Sequence, residues 1–184
     1  SKVVSTRLPQ QQGRDIWQKP DLVIALLGDL EGKTVADIGA GAGYFAFRLV
    51  PKAKKVIAID IEKNFIRFMD SIRMKLPLPY QQRFEARLAR LNDPCLTSGE
   101  ADAVIIVNTY GYIENRVAYL KTLAQGMASG ARLLIIDFKG NAPSPDPYRV
   151  DLRRVKSELT EAGFSIGKTD VQLLDYQYVV IATK

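Results

Sequence analysis

The chain has 184 residues, of which 47% are hydrophobic and 25% are charged, proportions typical of a globular protein rather than a disordered or fibrous one. Its 26 basic and 20 acidic residues give a formal net charge of +6, which is ordinary for a small domain with a charged surface. The sequence contains no histidine, and Cys95 is its one cysteine. This composition excludes a histidine base, Ser-His-Asp or Cys-His catalysis, an intrachain disulfide and multi-cysteine metal sites.

The two ends of the domain are predicted from patterning. Residues 1–14 are polar and lack a hydrophobic period, so residues 1–19 are predicted to form an N-terminal arm or lid before one domain over residues 20–184. No apolar run approaches the ~20 residues of a membrane helix, and no signal-peptide core is visible. We therefore expect a cytoplasmic protein, with a targeting segment before Ser1 left open.

Apolar periodicity and turn residues predict the following elements in chain order. They are a helix over 20–30, a strand over 34–39, a helix over 44–50, a strand over 55–60, a helix over 61–76 whose apolar face includes Phe65 and Met69, strands over 83–88 and 103–107, a helix over 117–127, a strand over 132–138, a loop over 140–148, a helix over 152–162 and two final strands over 164–171 and 176–183.

Strands and helices alternate until the last two strands, between which no helix is predicted. Such alternation favours a doubly wound α/β fold, with seven mostly parallel strands, a C-terminal antiparallel strand and helices on both faces. Ligands of doubly wound sheets bind at the carboxyl ends of the strands, near the point where the strand order reverses. The loops after the first, second, fourth and fifth strands are therefore the candidate site.

The loop after the first strand is a glycine turn, with Gly39, Gly41 and Gly43 at alternate positions and Asp37 before them. Glycines allow a positive φ and a close approach of backbone to ligand. A dinucleotide fold, as in an NAD-dependent oxidoreductase, needs its third glycine at position 44, which is Tyr44. An anion at Asp37 would oppose a pyrophosphate but suits a cationic adenosyl ligand, as S-adenosylmethionine is. Asp60, at the end of the second strand, is predicted to accept both ribose hydroxyls.

Four segments resemble class I S-adenosylmethionine-dependent methyltransferases. They are Val35–Leu49 (VADIGAGAGYFAFRL), Val56–Asp60 (VIAID), Ala101–Ile113 (ADAVIIVNTYGYI) and Arg132–Phe138 (RLLIIDF). The segments RDIWQKP at 14–20, NTY at 108–110 and DFK at 137–139 further resemble a bacterial group of small methyltransferases with no assigned substrate. The resemblance covers about residues 14–184 and implies a Rossmann-like fold with S-adenosyl-L-methionine as cofactor.

The residues predicted to bind this cofactor lie in the glycine turn, at the ends of the second and fourth strands and in the arm. They are Asp37, Ile38, Gly39, Ala40, Gly41, Gly43, Tyr44, Asp60, Ile61, Asn108, Trp17 and Lys19. For Trp17 two roles stay open, a lid over the cofactor or a hydrophobic staple on the first helix. Lys19 is a cation suited to the carboxylate of the cofactor.

Methyl transfer from a sulfonium is an in-line displacement, to which a protein contributes mainly by aligning the acceptor and excluding water. If the acceptor must lose a proton, the candidates are Tyr110, Tyr112, Asp137 and Lys139, and the sequence does not choose among them. Tyr110 and Tyr112 either line the pocket or only pack. No metal site is predicted.

We therefore predict a methyltransferase that acts on a small-molecule acceptor. The predicted protein has no specific nucleic-acid partner, no membrane association, and is a monomer or weak homodimer. Two alternatives remain at this point, an RNA or protein methyltransferase and a cofactor-binding module without catalysis.

Overall fold

A computed structural model describes residues 13–144 and 146–184, so most of the predicted arm lies outside the described residues. Within them, seven strands form one sheet in the order β3-β2-β1-β4-β5-β7-β6. The strands are β1 (Thr34–Ile38), β2 (Lys55–Asp60), β3 (Phe84–Leu88), β4 (Ala101–Val107), β5 (Met127–Phe138), β6 (Ser165–Asp170) and β7 (Gln177–Thr183). The helices are α1 (Arg14–Gln18), α2 (Pro20–Ala25), α3 (Ala46–Leu49), α4 (Lys63–Arg73), α5 (Leu78–Arg83), α6 (Arg116–Gly126) and α7 (Leu152–Glu161).

The pairing of the strands confirms the predicted fold. β1 is parallel to β2 and β4, and β3 and β5 extend the parallel sheet on either side. β7 is antiparallel to both β5 and β6. The strand order reverses between β1 and β4, so the carboxyl ends of these two strands form the crevice in which such sheets bind ligands.

Two hydrophobic layers cover the two faces of the sheet. Along β2, Ile57 and Ile59 belong to the cluster that also holds residues of α6 and α7, whereas Val56 and Ala58 belong to the cluster with residues of α2, α3 and α4. This alternation follows from the two-residue period of a strand, and burial on both faces explains why the strand sequences are almost continuously apolar.

Some element boundaries were predicted wrongly. Met127 begins β5 rather than ending the helix before it, since it already pairs with Ala101 of β4. The helix predicted over 61–76 spans only Lys63–Arg73, and its apolar face is poorly covered. Met69 is buried, whereas Phe65 and Phe68 are more than 40% exposed, because α4 lies near the β3 edge of the sheet.

The end of the predicted arm is helical. α1 buries Trp17 and Gln18 and ends at Lys19, which has a left-handed φ of 47°, and Pro20 then begins α2. Proline is favourable in the first turn of a helix, because its missing N–H has no intrahelical partner there. This short helix brings residues of the arm to the carboxyl edge of the sheet.

Candidate functional site

The glycine turn leaves β1 through three residues with positive φ, 73° at Gly39, 56° at Gly41 and 87° at Gly43. A Cβ at Gly39 would lie 2.2 Å from the Thr109 hydroxyl oxygen, and a Cβ at Gly43 would lie 2.5 Å from the Phe47 ring. A Cβ at Gly41 would meet no atom within 4 Å. Packing therefore requires glycine at two positions, and at Gly41 the bare backbone borders open space.

Asp60 is held at the end of β2 by two backbone donors. Its Oδ2 accepts the Gly41 N–H at 2.9 Å and its Oδ1 accepts the Glu62 N–H at 3.0 Å. Each carboxylate oxygen can accept a further hydrogen bond. Asp60 thus has a defined orientation and free acceptor capacity, as the predicted grip on ribose hydroxyls requires.

A cavity of about 450 Å³ lies over the ends of β1, β2 and β4, within the size range of small-ligand sites. Six of the predicted cofactor residues line it, namely Ile38, Gly39, Gly41, Asp60, Ile61 and Asn108. Sequence reasoning missed the remaining lining residues, Ile59, Glu62, Phe65, Ala89, Arg90, Leu91, Thr109, Ile113 and Tyr119. The rule that ligands meet the carboxyl ends of strands also applies to the loop after β3 and could have identified Ala89–Leu91.

Asp37 is buried directly before the glycine turn. Burial raises the pKa of its carboxyl to about 7, while the Arg14 guanidinium and the Ala46 N–H oppose the rise and the charge of Asp60 adds to it. Near neutral pH this group is therefore divided between its neutral and anionic forms. A cationic ligand in the adjacent cavity would favour the anion.

Tyr44 joins the glycine turn to α1 instead of lining the cavity. The guanidinium carbons of Arg14 and Arg48 lie 3.9 and 4.0 Å from its ring centroid. Its hydroxyl hydrogen-bonds the Asp15 carboxylate, which also pairs with Arg48 at 3.2 Å. Burial, with the Asp15 bond, raises the pKa of Tyr44 to about 12. Tyr44 therefore helps to hold α1 against the site, and the buried Ala40 and Gly43 also stay outside the lining.

The two arm residues predicted to contact cofactor lie outside this cavity. The Trp17 ring packs against Phe138 and Tyr176, with centroids 6.0 and 6.2 Å away, rather than as a staple on α2. Its Nε1 is buried without an acceptor among the described residues. Lys19 Nζ donates to the Leu173 carbonyl at 3.0 Å. A lid role for Trp17 stays a prediction.

Tyr110 packs in the core, so the interpretation that it lines the pocket is wrong. It lies in a 3-10 helix over Tyr110–Tyr112, is fully buried, and its hydroxyl donates to Glu158 Oε2 at 2.6 Å. Burial first, and then the bond to Glu158, raise the pKa of this phenol above its ordinary value. Tyr112, by contrast, lines the cavity, is 53% exposed and packs on Tyr148 at 4.8 Å.

The two candidates at the end of β5 are also outside the cavity lining. Asp137 is buried, accepts the Phe138 N–H at 2.8 Å, and has its pKa raised to about 6 chiefly by burial. Lys139 Nζ donates to the carbonyls of Leu174 and Asp175 at 2.9 and 3.1 Å. Of the four proton-transfer candidates, Tyr112 alone borders the cavity.

Among the residues that the structure describes, no group of three histidine, cysteine, aspartate or glutamate side chains could hold a metal ion. None of the described helices is both long enough and apolar enough to cross a bilayer.

A glycine turn and a strand-end acid on a sheet of this order define a class I S-adenosylmethionine-dependent methyltransferase domain. Residues 29–176 match the family model described as a methyltransferase domain, and the chain belongs to that family. A solved S-adenosylmethionine-dependent methyltransferase from Aquifex aeolicus superposes with a TM-score of 0.83 at 25% identity, over 93% of this chain and 92% of that one.

Two curated relatives differ in the acceptors that their names indicate. The ubiquinone biosynthesis O-methyltransferase of Alkalilimnicola ehrlichii is 23% identical over 67% of this chain and 49% of its own length. The tRNA U34 carboxymethyltransferase of Idiomarina loihiensis is 37% identical over 36% of this chain and 20% of its own length. The chain spans about half or less of the length of these relatives.

Proposed function

We propose that this domain transfers a methyl group from S-adenosylmethionine to a small-molecule acceptor at the carboxyl end of β4. The observation that carries the proposal is one continuous cavity, which Asp60 and the bare Gly41 backbone border together with Asn108 and Tyr112. If Asp60 holds the ribose of an adenosyl ligand, the sulfonium end of that ligand would lie near Asn108. The proposal includes a cytoplasmic setting and a monomer or weak homodimer.

The residues of the cavity fit the cofactor. Asp60 offers oriented carboxylate oxygens for the ribose, and Phe65 and Leu91 offer apolar surface for a flat base. Asp37 supplies a negative field next to the glycine turn, which suits a ligand with a sulfonium and an ammonium group. When bound, S-adenosylmethionine supplies a methyl group already activated by the positive sulfur.

The chain's own contribution is alignment and exclusion of water, since among the described residues Asp60 is the one buried side chain with a charge that lines the cavity. Tyr112 and Tyr148 form an aromatic pair at its rim. Tyr112 also borders a neighbouring open cavity of about 1000 Å³ with Arg116 and Lys121. Holding the acceptor in line at this rim can lower the barrier by several kcal/mol, roughly, without proton transfer.

RNA is the second candidate acceptor. The net charge of +6 and the similarity to a tRNA U34 carboxymethyltransferase favour it. Against it, the densest basic groups of the sequence are short and interrupted, and a basic stripe interleaved with aromatics is the usual requirement for RNA. A cofactor-binding module without catalysis is the third candidate.

The test has two steps. Adenosylhomocysteine is expected to raise the melting temperature in proportion to the logarithm of its concentration, with NAD as the comparison ligand and Asp29→Ala as a control for Asp60→Ala. Methyl-labelled S-adenosylmethionine is then incubated with the protein and a cell extract. Label in the small-molecule fraction supports the proposal; label in RNA, label in protein, or stabilisation by NAD alone contradicts it.

A further inference from the structure

Three amide side chains from three separate elements meet beside the cavity. Gln18 of α1 and Gln177 of β7 are both fully buried, and Asn108 follows β4. Gln18 Nε2 donates to Gln177 Oε1 at 2.9 Å, and Gln177 Nε2 donates to Asn108 Oδ1 at 2.5 Å. Gln18 Nε2 also approaches Asn108 Oδ1 at 3.4 Å. We call this chain, together with Arg14, the amide relay.

Arg14 determines the direction of the amide relay. Its Nε donates to Gln18 Oε1 at 2.5 Å, and a guanidinium can only donate. Gln18 must therefore place its oxygen toward Arg14 and its nitrogen toward Gln177, and Gln177 must in turn place its nitrogen toward Asn108. Reversing any one amide would bring two donors or two acceptors face to face, which buried polar groups do not tolerate.

The amide relay leaves one polar group of Asn108 unused. Asn108 Oδ1 already accepts from both glutamines, whereas Nδ2 donates to no atom of the described residues. The Trp17 Nε1 is the one buried side-chain polar atom among these residues that lacks a partner, so Nδ2 is accessible. Since Asn108 lines the cavity, its N–H groups, not its carbonyl oxygen, face the space beside Tyr112.

We infer that the amide relay makes Asn108 a donor that selects an acceptor bearing a carboxylate. The inference rests on the proposed function and names its substrate class. A planar carboxylate can accept from Nδ2 with one oxygen and present the other for methylation. An ammonium group would place its own N–H groups against those of Asn108.

A carboxylate acceptor also matches the composition of the site. It carries no proton to lose, so a cavity without histidine needs no general base. In the reaction the carboxylate oxygen forms a bond to the methyl carbon while the carbon–sulfur bond breaks, with its electron pair left on sulfur. The negative oxygen and the positive sulfur both become neutral, and the products are a methyl ester and adenosylhomocysteine.

Arg14, Gln18 and Gln177 act in this scheme as positioning residues, through Asn108. Gln177→Glu tests the direction of the hydrogen bonds in the amide relay. A carboxylate at position 177 can only accept, so it would turn Nδ2 of Asn108 toward position 177 and Oδ1 toward the cavity. Gln177→Met keeps a similar volume, has neither donor nor acceptor, and controls for lost packing. Gln18→Met removes the other glutamine that donates to Asn108 Oδ1 and is a second packing control; should the Glu variant fold poorly, the exchange of the Asn108 protons in the wild type still tests the inference.

The first measurement is solvent exchange of the Asn108 side-chain amide protons by nitrogen-15 NMR, assigned by their loss in Asn108→Asp. It needs no cofactor. In the wild type these protons should exchange rapidly with water while those of Gln18 and Gln177 are protected. In Gln177→Glu the Asn108 protons should become protected, and in the Met variants they should not. Protected Asn108 protons in the wild type, or no difference between the Glu and Met variants, would overturn the inference.

The second measurement titrates benzoate and benzylamine, which share a ring, into the wild type saturated with adenosylhomocysteine. Benzoate should shift the Asn108 amide resonances and benzylamine should not, and Gln177→Glu should remove this preference. Equal shifts, no shifts, or a benzylamine preference would contradict the inference. Methylthioadenosine lacks the carboxylate of adenosylhomocysteine and serves as a further comparison. If adenosylhomocysteine shifts the Asn108 amide resonances, methylthioadenosine does not, and benzoate adds no further shift, then Asn108 binds the cofactor's own carboxylate and the inference is wrong. Failure of adenosylhomocysteine to bind counts against the proposed function instead.

Discussion

Asp60 combines two roles in one side chain, since it orients the glycine turn and faces the cavity. In Asp60→Ala, adenosylhomocysteine binding should weaken by about 1.5–3 kcal/mol, the usual scale for a hydrogen bond to a charged group. The free energy of unfolding of the unliganded protein should fall by less than this, because the N–H groups of Gly41 and Glu62 that lose their acceptor are only partly buried. Calorimetry measures the binding of adenosylhomocysteine, and chemical denaturation measures the free energy of unfolding.

Asp29→Ala is the matched control for this variant. Asp29 Oδ1 accepts the Glu31 N–H at 3.0 Å in an exposed turn, so its loss removes a similar local bond without touching the cavity. Unchanged adenosylhomocysteine affinity in Asp60→Ala would show that this carboxylate serves the turn alone.

Because the Asp37 carboxyl is buried, we expect the stability of the protein to depend on pH. Burial raises its pKa to about 7 in the folded chain, against about 3.9 in an unfolded one. The folded state thus holds the proton more tightly, and the free energy of unfolding should fall as the pH rises from about 4 to about 7. Asp37→Asn should flatten this fall and stabilise the unliganded protein at pH 8 by more than about 1 kcal/mol.

Denaturant titrations at pH 5 and pH 8 measure that effect, with exposed Asp29→Asn as control. Adenosylmethionine should bind Asp37→Asn less tightly than the wild type at pH 8, because the negative charge next to the glycine turn is gone. An unchanged pH dependence in Asp37→Asn would assign the effect to another group, of which the buried Asp137, with a pKa raised to about 6, is the first to examine.

At the scale of single residues, the sequence predicts those site residues whose position depends only on adjacent residues in the chain. Gly39, Gly41 and Asp60 follow directly from strand ends, and all three line the cavity. Tyr110 and Tyr112 are two residues apart in one 3-10 turn, which sends the first side chain into the core and the second to the cavity. The role of Arg14 depends on docking of α1, which no local pattern reveals.

The loop between β5 and α7 is organised around one guanidinium. Arg149 Nη1 donates to the carbonyls of Lys139 and Gly140 at 3.0 and 2.9 Å, and Nη2 donates to those of Ala142 and Ser144 at 2.5 and 2.7 Å. Tyr148 O also lies 1.5 Å from where a Cβ of Gly111 would be, so the loop is seated on a residue that must stay glycine. The predicted loop is therefore held by the Arg149 side chain and by its contact with Gly111.

Arg149→Met should loosen this loop. Backbone amides around Gly140–Ser144 should exchange with deuterium faster, since four carbonyls lose their shared donor. Trp17 fluorescence should also change, because Trp17 packs with Ala142. Arg153→Met, on the exposed face of α7, is the control. Unaltered exchange in the loop would mean that its packing on Gly111 is sufficient to order it.

At the scale of elements, the sequence predicts best where burial is complete. β2 and β4 are almost wholly buried, and their apolar runs are unmistakable as parallel core strands. α1 and α5 have five and six residues, too short to show a helical period. The sequence does not predict that β5 begins at Met127, because Ser129 and Gly130 interrupt its apolar pattern, and Gly130 has a positive φ of 74°.

At the scale of the whole molecule, three arginines of the described residues are held in close ion pairs with glutamates. Arg87 pairs with Glu85 and Glu100, and Arg116 and Arg154 pair with Glu158, all at 2.7 to 3.0 Å. A phosphate backbone would have to compete with these carboxylates. These pairs hold as many glutamates as arginines, so they leave the net charge of +6 unchanged, but they commit three guanidiniums to carboxylates instead of to a continuous basic surface.

Binding to tRNA should accordingly be weak and nonspecific. Fluorescence anisotropy with a labelled tRNA should give a dissociation constant in the micromolar range or above at physiological salt. The affinity should fall steeply with added salt, because the contacts are those of lysine and arginine with phosphate. Arg90→Gln, which removes an exposed cation at the cavity, should lower the affinity for tRNA and for an unrelated RNA by the same factor. A sub-micromolar complex that distinguishes the two RNAs, and loses that distinction in Arg90→Gln, would favour RNA over a small molecule as the acceptor.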